Sequence, residues 1–178
     1  MRRFASGNGL RMGNKEGVRM YYTEFDTDLC RIILAGDENG LRHLHLNTGK
    51  GAGAFIIYND WVHNNEFFIE AIKQVNEYLK GKRMIFDLKL APEGTEFQKR
   101  VWDELLKIPY GGICAYGEIA RRVGRPKASQ AVGAANSRNP IPLIIPCHRV
   151  IGSTGKLTGY AFGLDVKKRL LELESSCL

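Results

Sequence analysis

At 178 residues and a formal net charge of +7, the chain can bury one large core or two small ones. Its 44% hydrophobic and 25% charged composition is that of a globular protein, and no apolar run has the length of a membrane-spanning helix, so no membrane partner is expected. The basic start Met1-Arg2-Arg3 is not followed by an apolar region. No secretory signal is therefore expected, a cytoplasmic location is, and Cys30, Cys114, Cys147 and Cys177 should be reduced thiols.

The charge is unevenly spread: +4 over residues 1–19, −2 over 20–92 and +5 over 93–178. Residues 1–19, rich in Gly, Arg and Asn, read as a flexible basic extension. An α/β domain is expected over 20–92, with strands at 20–25, 29–35 and 41–46. Asp37-Glu38-Asn39-Gly40 supplies the turn between the last two. Phe68, Ala71, Ile72, Val75, Tyr78 and Leu79 follow helical spacing, and Gly81 stands where a C-cap belongs. Residues 84–90 alternate as a further strand. The fold expected here is a small antiparallel sheet plus one helix.

Residues 93–178 read as a mainly helical domain. Thr95-Glu96-Phe97-Gln98 is a capping box opening a helix to about residue 107. Helices at 116–123 and 127–137 flank Gly124-Arg125-Pro126 and make a helix-turn-helix. Arg121, Arg122, Arg125, Lys127 and Arg138 fall in this stretch, which has no acid from residue 119 to 164. Such a segment suits an anionic partner better than a merely solvated face. A last helix at 165–174 places Val166, Leu170, Leu171 and Leu173 on an apolar side.

Chemistry concentrates in Ile-Pro-Leu-Ile-Ile-Pro-Cys-His-Arg-Val-Ile-Gly, residues 141–152. Cys147 is preceded by a proline that fixes the backbone and followed by His148 and Arg149, both able to favour a thiolate. On these residues alone, a cysteine hydrolase and a structural cysteine remain open. No C-x-x-C pair supports a zinc site, and His43 and His45, alternating on one strand face, read as solvent-exposed.

Pro146-Cys147-His148-Arg149-Val150 resembles the active-site signature of the O6-alkylguanine-DNA alkyltransferases. The likeness extends through Tyr116-Gly117-Glu118-Ile119-Ala120, Ala131-Val132-Gly133-Ala134-Ala135-Asn136, Asn139-Pro140 and Thr158-Gly159-Tyr160, covering nearly all of residues 93–178. It implies that Cys147 accepts the alkyl group irreversibly, once per molecule. His148 would take the thiol proton through a water, Glu174 would orient the histidine, and Asn139 would brace the turn. Tyr116 would help rotate the nucleotide into a pocket walled by Tyr160. The carbonyls of Cys147 and Val150 would read the guanine amino group, and the amide of Ala161 would face O6.

The resemblance further implies a recognition helix over 127–137 lying in the minor groove of double-stranded DNA that contains O6-alkylguanine. Ala128, Ser129, Gln130, Ala131, Ser137, Arg138 and the basic residues named above would make the contacts, small side chains suiting a narrow groove. No cofactor and no metal are implied, and a monomer is expected. Two positions depart from the family. Gln130 replaces a common arginine and would support the flipped state less well. Phe162 stands where glycine is usual, either pointing outward or packed into the core, or else narrowing the pocket in favour of methyl over bulky groups. The rivals are an alkyltransferase-like binding module, which would lack Cys147, and a helix-turn-helix regulator, which leaves Cys147, His148 and Glu174 unexplained.

Overall fold

The computed structural model describes residues 4–5, 18–50 and 54–177. The expected flexible extension over residues 1–19 lies mostly outside the described residues.

Strands β1 (Phe4–Ala5) and β5 (Ile57–Tyr58) pair in parallel as a small separate ribbon. The main sheet has the order β4 (Gly40–Asn47), β3 (Arg31–Asp37), β2 (Tyr21–Asp26), β6 (Val62–His63). Its three long strands are antiparallel, as the pattern predicts. The short edge strand β6 runs parallel to β2, so the sheet is mixed. Strand β3 is central and buried from Ile32 to Asp37, which is why it reads as continuous apolar sequence. The expected turn forms: Asp37 pairs with Gly40, and Asp37 Oδ1 accepts the Asn39 amide at 2.8 Å.

Helix α1 (Ile69–Leu79), entered through a short 3-10 helix at Glu66–Phe68, buries Ala71, Gln74, Val75 and Tyr78. It ends at Gly81, where φ is +69° and the amide returns to the Tyr78 carbonyl at 2.9 Å. The strand expected over 84–90 does not form. Gln74 intercepts its backbone instead: the side-chain amide donates to the Asp87 carbonyl and accepts the Asp87 amide, at 2.9 and 2.8 Å. Only a single bridge between Leu41 and Leu90 remains of it.

The C-terminal half is helical. Helix α2 (Glu96–Leu106) opens with the complete capping box at Thr95 and Gln98. Strand β7 (Cys114–Ala115) leads into α3 (Tyr116–Arg122), and α4 (Ser129–Ser137) follows across residues 123–128. Strand β8 (Val150–Ile151) pairs in parallel with β7, which makes Cys114 the buried strand residue at that joint. Helix α5 (Leu164–Ser176) closes the described chain. Its buried stripe is Val166, Lys167, Leu170 and Glu174. Leu171 and Leu173 are only partly covered, so the face is rotated from the expected one.

Both halves contribute to one apolar core, in which Ile32, Leu34 and Tyr78 join Trp102, Ile119 and Leu143. Polar contacts cross as well: the Leu44 amide donates to the Pro140 carbonyl at 2.9 Å, and Thr48 Oγ1 to the Phe162 carbonyl at 3.2 Å.

Gly81 is fixed twice over. Its φ lies in the left-handed region, and a Cβ there would sit 2.5 Å from the Sγ of Cys177, the residue that follows α5. Gly81→Ala should therefore lower the unfolding free energy by about 1–3 kcal/mol, measurable by urea denaturation.

Candidate active site

Cys147 sits on a turn built by Asn139. Asn139 Oδ1 accepts the Ile141 amide at 3.0 Å, its Nδ2 donates to the Ile145 carbonyl at 2.7 Å, and the Ile145 amide returns to the Ile141 carbonyl at 2.9 Å. The tight path forces Leu143 to φ +72°, which costs an L-residue about 1–2 kcal/mol. Burial of Ile141, Leu143, Ile144 and Ile145 holds it there. A short 3-10 helix, Cys147–Arg149, follows. Asn136 Nδ2 on α4 grips the Cys147 carbonyl at 3.2 Å.

Cys147 is 3% exposed. Burial pushes the thiol up to about 11, against the Asn139 side chain, the Lys167 ammonium and the Tyr160 hydroxyl, which favour the thiolate. At neutral pH the free protein therefore holds a protonated Cys147, and a base is needed to activate it.

His148 is fully buried beside it. Burial lowers its pKa, opposed by the hydrogen bond and charge of Glu174. Its Nε2 lies 2.8 Å from Glu174 Oε1. Glu174 is buried too, and burial alone would raise its pKa. Hydrogen bonds from His148, Arg149 and Tyr78 outweigh that and hold it at about 2. A carboxylate that stays ionised must accept, so Nε2 carries the imidazole proton and Nδ1 presents its lone pair. Nδ1 is buried and has no hydrogen-bond partner among the described residues.

Arg149 does not act on the sulfur. Its guanidinium is spent on Glu174, at 2.9 Å from Nε to Oε2 and 2.9 Å from Nη2 to Oε1, and on the Ile108 carbonyl at 2.6 Å. It also lies 5.8 Å from the Tyr110 ring centre. The expectation that Arg149 favours the thiolate is thus corrected: the carboxylate claims it, and Lys167 supplies the cation near Cys147.

The other expected pocket residues gather around this centre. Tyr116 opens α3 with its hydroxyl 3.4 Å from the carbonyls of both Thr158 and Gly159. Tyr160 has its hydroxyl buried, and Ala161 lies next to it in the same loop. Phe162 is 6% exposed, between His45 at 5.5 Å and Tyr160 at 5.7 Å between ring centres, so it is a packed core aromatic. Val150 is buried with its carbonyl bound by Lys167, while the Cys147 carbonyl already accepts from both Asn136 Nδ2 and the Val150 amide. His43 and His45 are not solvent-exposed as the alternation suggested: both pack on Phe55, at 5.6 and 5.4 Å.

The basic segment is dispersed. Arg121 and Arg122 both pair with Glu118, and Arg125 stacks 5.1 Å over Phe97. Lys127 is exposed, with Ala128 and Ser129 half-buried at the start of α4. Gln130, Ala131, Ala134, Ser137 and Arg138 form a continuous exposed face of α4, narrow in side-chain bulk. Ala135 is excluded from that face: it is buried, and its carbonyl accepts the Trp102 indole at 3.0 Å.

Comparison with known proteins bears on this geometry. The sequence model of the 6-O-methylguanine DNA methyltransferase DNA binding domain matches residues 96–176, and that of the same proteins' ribonuclease-like domain matches residues 20–92. The methylated-DNA–protein-cysteine methyltransferase of Methanosarcina acetivorans is 57% identical over 89% of this chain and 100% of its own length. The chain belongs to the 6-O-methylguanine DNA methyltransferase family. A crystal structure of Mycobacterium tuberculosis OGT in complex with DNA superposes with a TM-score of 0.81 at 43% identity, covering 88% of this chain and 94% of that one.

Two residues of this methyltransferase-family site escape a reading of the sequence. Lys167 looks like a solvated lysine in Val166-Lys167-Lys168-Arg169, yet it is fully buried, donating to the Val150 and Thr158 carbonyls at 2.5 and 2.9 Å. The available signal is its spacing: Lys167 and Glu174 flank Leu170 on one helical face. Tyr78 reads as an apolar-face residue of α1, yet its hydroxyl donates to Glu174 Oε1 at 2.6 Å.

Glu174→Gln leaves Arg149 buried without a charged partner and should cost about 3–5 kcal/mol at neutral pH. The native carboxylate titrates at about 2, against an ordinary 4.5, so its contribution is complete above 4.5 and lost as pH falls toward 2. The gap between wild type and variant in urea midpoint should narrow across that window.

Proposed function

We propose that this chain repairs O6-alkylguanine in double-stranded DNA as a cytoplasmic monomer, by moving the alkyl group to Cys147. The observation that carries the reading is the unpartnered Nδ1 of His148, next in sequence to a protonated, buried cysteine and backed by an ionised Glu174. The 6-O-methylguanine DNA methyltransferase family supplies the substrate class.

Residues 20–92 would act as scaffold, and 93–178 would bind DNA and accept the alkyl group. The exposed face of α4 suits a minor groove because its side chains are small, with Arg138 at one end for phosphate. The alkyl carbon on O6 is hidden in the base stack, so the nucleotide must leave the duplex. Tyr116, at the joint between α3 and the 158–163 loop, would meet it.

A water carries the Cys147 proton to His148 Nδ1, and Glu174 balances the imidazolium. The thiolate attacks the alkyl carbon in line. An S–C bond forms as the C–O6 bond breaks, and the electron pair passes to the purine. The purine then takes up one proton, replacing the one Cys147 lost, so guanine is restored and a thioether remains. The thioether is inert to hydrolysis, so each chain reacts once.

Incubation with an oligonucleotide bearing O6-methylguanine should add one methyl to the Cys147 peptide, read by mass spectrometry, and none in Cys147→Ser. Turnover beyond one equivalent, or no adduct, overturns the reading. Gln130 is exposed on the proposed DNA face, so Gln130→Arg should raise the single-turnover rate on duplex DNA severalfold; an unchanged or slower rate counts against that role.

A further inference from the structure

Tyr78 belongs to α1, in the half of the chain without the cysteine, yet its hydroxyl enters the network behind it. Oε1 of Glu174 lies 2.6 Å away and His148 Nε2 3.2 Å away. The ring does ordinary core work: it meets Phe86 at 5.2 Å and Tyr110 edge-on at 6.0 Å, on the face shared with Ala71 and Val75. Phenylalanine would fill that space equally well. Burying the hydroxyl costs desolvation that its hydrogen bond roughly offsets, so packing does not account for it.

We infer that the Tyr78 hydroxyl is a positioning group for alkyl transfer, setting how strongly Glu174 holds the His148 Nε2 proton and hence the pH at which Nδ1 can take the proton of Cys147. The inference rests on the reading of Cys147 as acceptor and adds a control that the other half of the chain exerts on it. Glu174 shares its charge among Tyr78, His148, Arg149 and the Gly111 amide. Each donor weakens the pull on the others. Burial and the Glu174 charge push the Tyr78 phenol far above its ordinary range, so it stays a donor at any working pH.

The groups around His148 are these. Tyr78 faces it from α1, Glu174 and Lys167 from α5, and Cys147 and Arg149 from its own turn. Tyr110 lies behind Arg149, and Tyr160 reaches the network through Cys147. Among the partners of Glu174, the Tyr78 hydroxyl can be deleted without removing a charge or moving the backbone.

Removing it concentrates the carboxylate charge on His148. The imidazolium is then favoured, and the base is lost at a higher pH. Tyr78→Phe should shift the acid limb of the single-turnover methyl-transfer rate upward by about 0.5–1 pH unit. The His148 ring titration, followed by NMR, should move by the same amount. A fluorinated tyrosine at position 78 is a stronger donor with the same shape, and should move both downward. It also covers the case in which Tyr78→Phe does not fold.

A merely structural Tyr78 predicts a lower melting temperature with both titrations unmoved, and that result overturns the inference. So does a shift of the same sign in the two variants. If the unaltered chain puts no methyl on Cys147, the functional reading fails and Tyr78 loses its reaction, which the adduct measurement separates from an unmoved His148 titration.

Discussion

One buried negative charge organises the reactive half of this molecule. Glu174 accepts from Tyr78 on α1, Gly111 after α2, His148 and Arg149 in the cysteine turn, while itself riding on α5. Segments distant in sequence thus meet on two oxygen atoms. Such a cluster is a poor way to gain stability. Desolvating the ions costs several kcal/mol each, and apolar residues of similar volume often do as well or better. Its presence in an otherwise apolar core is better accounted for by what it does to His148: it fixes the tautomer and leaves the Nδ1 lone pair unpartnered among the described residues.

The turn before Cys147 follows the same logic. Leu143 is held at a positive φ, and Asn139 spends both ends of its amide to keep it there. The strain is local and the support is buried, so the cysteine is presented in one orientation. The family resemblance in the sequence anticipated this brace at Asn139. It did not anticipate Leu143, because nothing in an Ile-Pro-Leu-Ile-Ile run distinguishes a left-handed residue from a strand.

Where the sequence was legible, a short-range rule had decided the structure. The Thr95 capping box, the Asp37–Gly40 turn and the end of α1 at Gly81 each depend on residues within four positions. Where it misled, a distant partner had won. Residues 84–90 alternate like a strand, but the Gln74 amide satisfies Asp87 and no ladder forms. Arg149 sits beside Cys147 in sequence, but Glu174 claims its guanidinium from 25 positions away. His43 and His45 look solvated, but Phe55 packs on both and Phe162 on His45. Charge within the α5 stripe did leave a trace in the spacing, since Lys167 and Glu174 share a face with Leu170.

Lys167 makes sense in this light. Burial draws it down to about 8, partly resisted by the nearby Cys147. In the resting protein the ammonium is held by the Val150 and Thr158 carbonyls and lies 6.0 Å from the Tyr116 ring centre, with no carboxylate paired to it among the described residues. The site therefore holds a cation in place before its anion exists. On the proposed mechanism that anion is the thiolate, which appears only when His148 accepts the proton. Charge placed in advance needs no reorganisation when the reaction begins, and that is where fixed electrostatics help a transition state most. The same arrangement explains why Cys147 is quiet at rest: burial opposes the thiolate more strongly than Lys167 favours it, so reactivity waits for the base.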